Sequence, residues 1–124
     1  MRITKQEEGK RGEDYAVSYL QKNGYKIIER NFRTRNGEID IIAVDTTEKP
    51  SVLAFIEVKT RSSQQFGKPI ESINYFKLQT LQKTAIFYAH THPNLPTQLR
   101  IDAVTVLFDY SNNLKEISLI KNIS

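Results

Sequence analysis

Three residues have the types and spacing for a metal site with a lysine ammonium beside it: Asp40, Glu57 and Lys59. Asp40 lies in Gly37-Glu38-Ile39-Asp40-Ile41-Ile42-Ala43-Val44. Glu57 and Lys59 lie in Val52-Leu53-Ala54-Phe55-Ile56-Glu57-Val58-Lys59-Thr60-Arg61. Both runs are apolar, rich in β-branched residues and flanked by turn residues, so both are predicted strands. An ionised carboxylate is costly to bury unless something compensates its charge. One divalent cation would compensate both acids, and Mg²⁺ (or Mn²⁺) is the cofactor expected. Lys59, two residues beyond Glu57, falls on the same side of its strand. The plain alternative is two strands with an ion pair from Lys59 to Glu57 or Asp40. Glu-x-Lys alone is common; an Asp, a hairpin gap and then Glu-x-Lys in an apolar run is more specific.

The two strands must meet for the acids to act together. A hairpin looping through Thr46-Thr47-Glu48-Lys49-Pro50-Ser51 would join them antiparallel. Pairing Asp45 with Val52 puts Asp40 opposite Glu57 and Glu38 opposite Lys59. Opposed residues have Cβ atoms roughly 5 Å apart and share a face. A slip of one residue would turn Asp40 to the other face.

Around this hairpin the chain reads as follows. Thr4-Lys5-Gln6-Glu7 is a capping box, and a helix runs from it to about Lys22, stopping at Asn23-Gly24. Ala16, Val17 and Leu20 form its apolar stripe, and Glu13 lies on that stripe. Glu13 is a candidate functional acid or a dipole-favoured acid facing water. Tyr25–Phe32 is a first strand, and Arg30, Arg33 and Arg35 cluster just before Gly37 as candidate phosphate contacts, or form an ordinary solvated loop. Ser62–Pro69 reads as a loop, and a second helix spans about Ser72 to Ala89 with Leu78, Leu81, Ala85 and Tyr88 toward the sheet. Lys77 and Lys83 should project elsewhere. Arg100–Phe108 and Lys115–Ile120 are strands, with Asp102 expected as an ion-pair partner of Arg100. His90 and His92 fall short of the three or four ligands a zinc site needs. The order predicts an α/β sandwich: a helix, a three-strand meander, a helical crossover, and one or two further strands in a mixed sheet.

At 124 residues the chain is read as one domain, 1–124. It has no cysteine, which excludes disulfides and thiolate zinc sites. No apolar run is long enough for a membrane span and the first residues do not form a signal peptide, so a cytoplasmic location is expected. A net charge of +4 modestly favours a polyanionic partner.

This order, with Asp on the second strand and Glu-x-Lys on the third, resembles the restriction-endonuclease-like, PD-(D/E)xK nuclease fold, a three-layer sandwich. Gly12-Glu13-x-x-Ala16, Arg30-Asn31-x-Arg33, Gly37–Ala43, Phe55–Arg61, Phe66-Gly67-x-Pro69, Lys77 and Arg100-Ile101-Asp102 resemble the signature blocks of the bacterial YraN family, which is similar to Holliday junction resolvases. The resemblance covers nearly the whole chain. It implies Asp40 and Glu57 as metal-binding acids, Lys59 as the motif lysine, Glu13 as the helical acid of resolvase-like members, and loosely Gln79 as a helical glutamine. Ile39 stands where the nominal motif has proline. The activity expected is metal-dependent, structure-selective cleavage of branched or structured DNA, with Arg33, Arg35, Arg61 and Lys77 on flanking phosphates. A homodimer would suit a junction resolvase, although no stretch announces a dimer face. A non-catalytic nucleic-acid-binding module on the same fold is the alternative.

Overall fold

The computed structural model describes residues 3–62 and 73–124. Its elements are α1 (Lys5–Lys22), β1 (Tyr25–Thr34), β2 (Gly37–Asp45), β3 (Val52–Ser62), α2 (Tyr75–Thr91), β4 (Leu99–Phe108) and β5 (Leu114–Ile120). α1 begins at its cap, where the Thr4 hydroxyl accepts the Glu7 N–H at 3.0 Å. It ends at Asn23, and Gly24 follows at φ +87°, a left-handed conformation that glycine adopts without strain. α2 starts later than the apolar spacing suggests. Asn74 is extended and its side chain accepts the Lys77 N–H at 2.9 Å, so the cap rather than the first apolar residue sets the start. Ser72 and the Phe66-Gly67-x-Pro69 block lie outside the described residues, as does the expected loop except Ser62, which closes β3.

The strands stand side by side in the order β1-β2-β3-β4-β5. The first three form an antiparallel meander; β4 returns parallel to β3 after α2, and β5 is antiparallel to β4. The sheet is therefore mixed, and both strands considered after the second helix are present. Ala16 and Leu20 of α1 pack with Ile41, Ala43, Ala54, Ile56 and Val104 on one face. Leu81, Ala85 and Tyr88 of α2 pack with Ile39, Ile42, Leu53 and Phe55 on the other. This is a three-layer α/β sandwich. β3 is covered on both sides, which is why Val52–Ile56 is continuously apolar instead of alternating. Gly12 brings α1 close to this strand: a Cβ there would collide with the Thr60 side chain.

At the far end of β2 a charged cluster ties distant segments together. The fully buried Asp45 accepts Arg100 Nη2 at 2.6 Å and pairs with Lys121 at 3.0 Å. Asp102, also buried, pairs with Arg100 at 2.8 Å, accepts the Tyr25 hydroxyl at 2.8 Å and receives the Asn122 N–H at 2.9 Å. Arg100 thus pairs with Asp102 as expected. Burial works to raise the Asp45 pKa, but bonds from Thr47, Arg100 and Lys121 outweigh it and hold the carboxyl well below the usual range.

Candidate active site

The β2–β3 ladder runs from Asp45↔Val52 to Ile41↔Ile56, the register that the hairpin length predicts. Asp40 and Glu57 come next by count, and there the ladder stops. Asp40 Oδ2 takes the Val58 N–H at 2.8 Å in place of a backbone bond. The alternation of β2 breaks at the same point. Ile39 and Ile41 would share a face in a regular strand, yet Ile41 packs on the α1 side and Ile39 on the α2 side. On β1, Asn31 faces Asp40 by count but is skipped in the pairing, and it holds φ +54°. Asparagine tolerates that conformation better than most residues. A local distortion shared by β1 and β2 therefore aims Asp40 at β3.

Glu57 is 5% exposed, and its Oε2 has no hydrogen bond. Lys77 Nζ stands 3.3 Å from that oxygen, a charge contact without hydrogen-bond alignment. The Asp40 carboxyl is pushed well above the ordinary range, first by burial and then by its contact with Glu57; the Val58 N–H and Lys77 act in the opposite sense. Two touching carboxylates, one with an unsatisfied buried oxygen, form a donor set that a divalent cation would relieve. Among the described residues no group of three or more His, Cys, Asp or Glu side chains is arranged around a metal position. Lys59, half-buried, follows two residues after Glu57 on β3, and Arg61 two after that.

Several expected partners change. Glu13, the expected third acid, is 14% exposed at its side chain, and its Oε1 accepts Arg30 Nε at 3.0 Å and Asn31 Nδ2 at 3.1 Å. It adjoins the site through Asn31. Arg30 pairs with both Glu13 and Asp14, which removes it from the cluster of phosphate-binding arginines. Its hydrogen bond to Asp14 is the main cause of its raised pKa. Glu38 does not pair with Lys59 in the ladder; it lies opposite Arg33 on β1, with 3.5 Å between their charged atoms. Arg33 and Arg35 are exposed around the β1–β2 turn. Lys77 turns to Glu57 instead of projecting away, because the cap at Asn74 places it in the first turn of α2. Gln79 donates to the Tyr75 hydroxyl at 2.8 Å. His92 stacks on Tyr88 with ring centroids 3.8 Å apart.

Two features escaped the sequence reading. Asp45 closes the apolar run Ile41–Val44 that Asp40 opens, and the same cost-of-burial argument would have marked it. Asn31 sits in mid-strand, where its preference for turns signals a distortion.

Sheet, helices and paired acids define an α/β sandwich protein with a two-carboxylate site where two antiparallel strands part. The chain belongs to the family described as uncharacterised protein family UPF0102, which matches residues 12–106. It is similar to the UPF0102 protein of Caldicellulosiruptor bescii, 43% identical over 115 residues, covering 92% of this chain and 93% of the relative. It is also similar to the UPF0102 proteins of Syntrophomonas wolfei, 43% identical with 79% and 82% covered, and Persephonella marina, 42% identical with 89% of each covered. Membership agrees with the resemblance carried by the two strand blocks. Among the described residues no helix is long and apolar enough to cross a membrane.

Proposed function

We propose that the chain is a metal-dependent nuclease that hydrolyses phosphodiester bonds in nucleic acid, acting as a structure-selective DNA endonuclease of the restriction-endonuclease-like, PD-(D/E)xK type. The observation that carries this reading is the contact of Asp40 with Glu57, with a buried Glu57 oxygen left without a hydrogen bond. Asp40 and Glu57 hold Mg²⁺ or Mn²⁺. When bound, such an ion polarises the scissile phosphate and lowers the pKa of an attacking water. The Val58 N–H fixes the Asp40 carboxylate. Lys59 supplies a positive charge that orients the water or stabilises the charge building on the phosphate. Arg33, Arg35 and Arg61 bind flanking phosphates, which positions the strand without reading bases. Lys77, beside Glu57, can join them only by leaving that carboxylate.

A second reading is a nucleic-acid-binding module without turnover. It is favoured by the engagement of Glu13, the expected third acid, with Arg30 and Asn31. Purified protein incubated with branched, flapped and single-stranded DNA and with RNA, in Mg²⁺ or Mn²⁺, separates the two. Metal-dependent product that Lys59→Ala abolishes while binding persists supports the nuclease. Binding without product in either metal supports the module.

A further inference from the structure

The first turn of α2 carries two aromatic residues in an unusual place. Tyr75 is 69% exposed and Phe76 is 77% exposed, although large apolar rings gain most from burial. They precede Lys77, whose ammonium reaches the buried Glu57 carboxylate, so both rings belong to the helical turn that meets the acidic site. The rings are not loose. Their centroids lie 6.1 Å apart in an edge-to-face contact, and Gln79 holds the Tyr75 hydroxyl at 2.8 Å.

Their surroundings are basic. α2 has no acidic residue from Tyr75 to Thr91 and carries Lys77 and Lys83. Thr80 packs so tightly on Gly37 that a Cβ on this glycine would collide with it. Phe76, one turn earlier, shares the helical face of Thr80, the face that meets the start of β2, and the β1–β2 turn just before it bears Arg33 and Arg35. Braced rings flanked by cations, beside carboxylates suited to a metal, match a strand whose phosphates are held by charge while its bases stack on aromatic faces.

We infer that Tyr75 and Phe76 form a stacking platform for unpaired bases next to the scissile phosphate. The substrate class is then nucleic acid with single-stranded character at the cleavage point, such as a flap or an opened branch, and not continuous duplex. This rests on the nuclease reading for the word scissile; the stacking itself does not require turnover.

The test uses the whole chain in EDTA, so that cleavage cannot occur. The probe is a fluorescein-labelled oligothymidylate of about 16 nucleotides, the upper end of a single-strand site, compared with a labelled duplex of equal length. Phe76→Ala and Tyr75→Ala should each weaken single-strand binding about 5- to 100-fold, the effect of losing one stacked base, and change duplex binding little. Phe87→Ala is the control: this ring is 55% exposed on the same helix but about 16 Å further along its axis, and its loss should change neither. The chain has no tryptophan, so Phe76→Trp installs a single reporter. Oligothymidylate should quench it and duplex should not.

Unchanged affinity in the alanine variants overturns the inference, and so does an equal loss on duplex or the absence of single-strand binding by the unsubstituted protein. Self-association that Phe76→Ala disrupts, with no single-strand binding, overturns it in favour of a protein interface. Phe76-dependent single-strand binding without cleavage in any metal leaves the platform standing and removes the nuclease. Cleavage undiminished in both alanine variants does the reverse.

Discussion

Replacing Asp40 by Asn tests whether the carboxylate pair is strained for the sake of a cation. Burial and the contact with Glu57 move the Asp40 carboxyl from 3.8 to about 7. Between those values the native protein keeps a proton that the unfolded chain has lost. The contribution of Asp40 to stability is therefore whole below about pH 4 and is lost as pH rises through about 7. The rise corresponds to about 4 kcal/mol. Because Asp40 touches a second buried carboxyl group, the figure for this one site is about 2–4 kcal/mol. An amide at position 40 does not titrate. Its oxygen can still accept the Val58 N–H, and its NH₂ can donate to Glu57. In EDTA at pH 8, Asp40→Asn should therefore be more stable than the unsubstituted protein by about 2–4 kcal/mol, raising Tm by about 5–15 °C. The two should converge near pH 4. Mg²⁺ should raise the Tm of the unsubstituted protein at pH 8 and leave the variant unmoved. Thermal unfolding followed by circular dichroism across this range measures all three effects. Superimposable pH profiles, or a variant less stable at pH 8, would refute the account of the pair as a strained cation site.

Lys77→Met removes the cation 3.3 Å from Glu57 Oε2; it should lower stability in EDTA and tighten Mg²⁺ binding several-fold, both read from Tm against metal concentration. Arg100→Leu should cost about 3–5 kcal/mol in urea unfolding, because among the described residues it leaves Asp102 without a cation and Asp45 with Lys121 alone. Since Asp45 titrates below its ordinary range when folded, its stabilisation is present above about pH 4 and fades as pH falls further, so the variant should lose less relative to the unsubstituted protein in acid. Gly12→Ala drives a methyl group into Thr60 and should cost about 1–3 kcal/mol, with Thr60→Ala in the same chain recovering part of the loss.

Much of the fold was legible because its causes are local. The Thr4 cap and the Asn23-Gly24 stop bound α1, and apolar runs between turn residues marked the first three strands. The hairpin between β2 and β3 closes over six residues, so its length sets the register as far as Ile41↔Ile56, and the distortion beyond that pair turns Asp40 toward β3. The α2 boundary was less legible, because Asn74 caps the helix after the apolar spacing has already begun.

What the sequence by itself determined is thus the order of elements and the hairpin register, consequences of short-range sterics and of turn chemistry. The tertiary structure alone decided which charges answer one another. Arg30 goes to Glu13 and Asp14, Lys77 goes to Glu57, and Tyr25 meets Asp102 across 77 positions of chain. A long side chain has many partners within reach, and only the packing of α1, α2 and β4 on the sheet removes the others from contention.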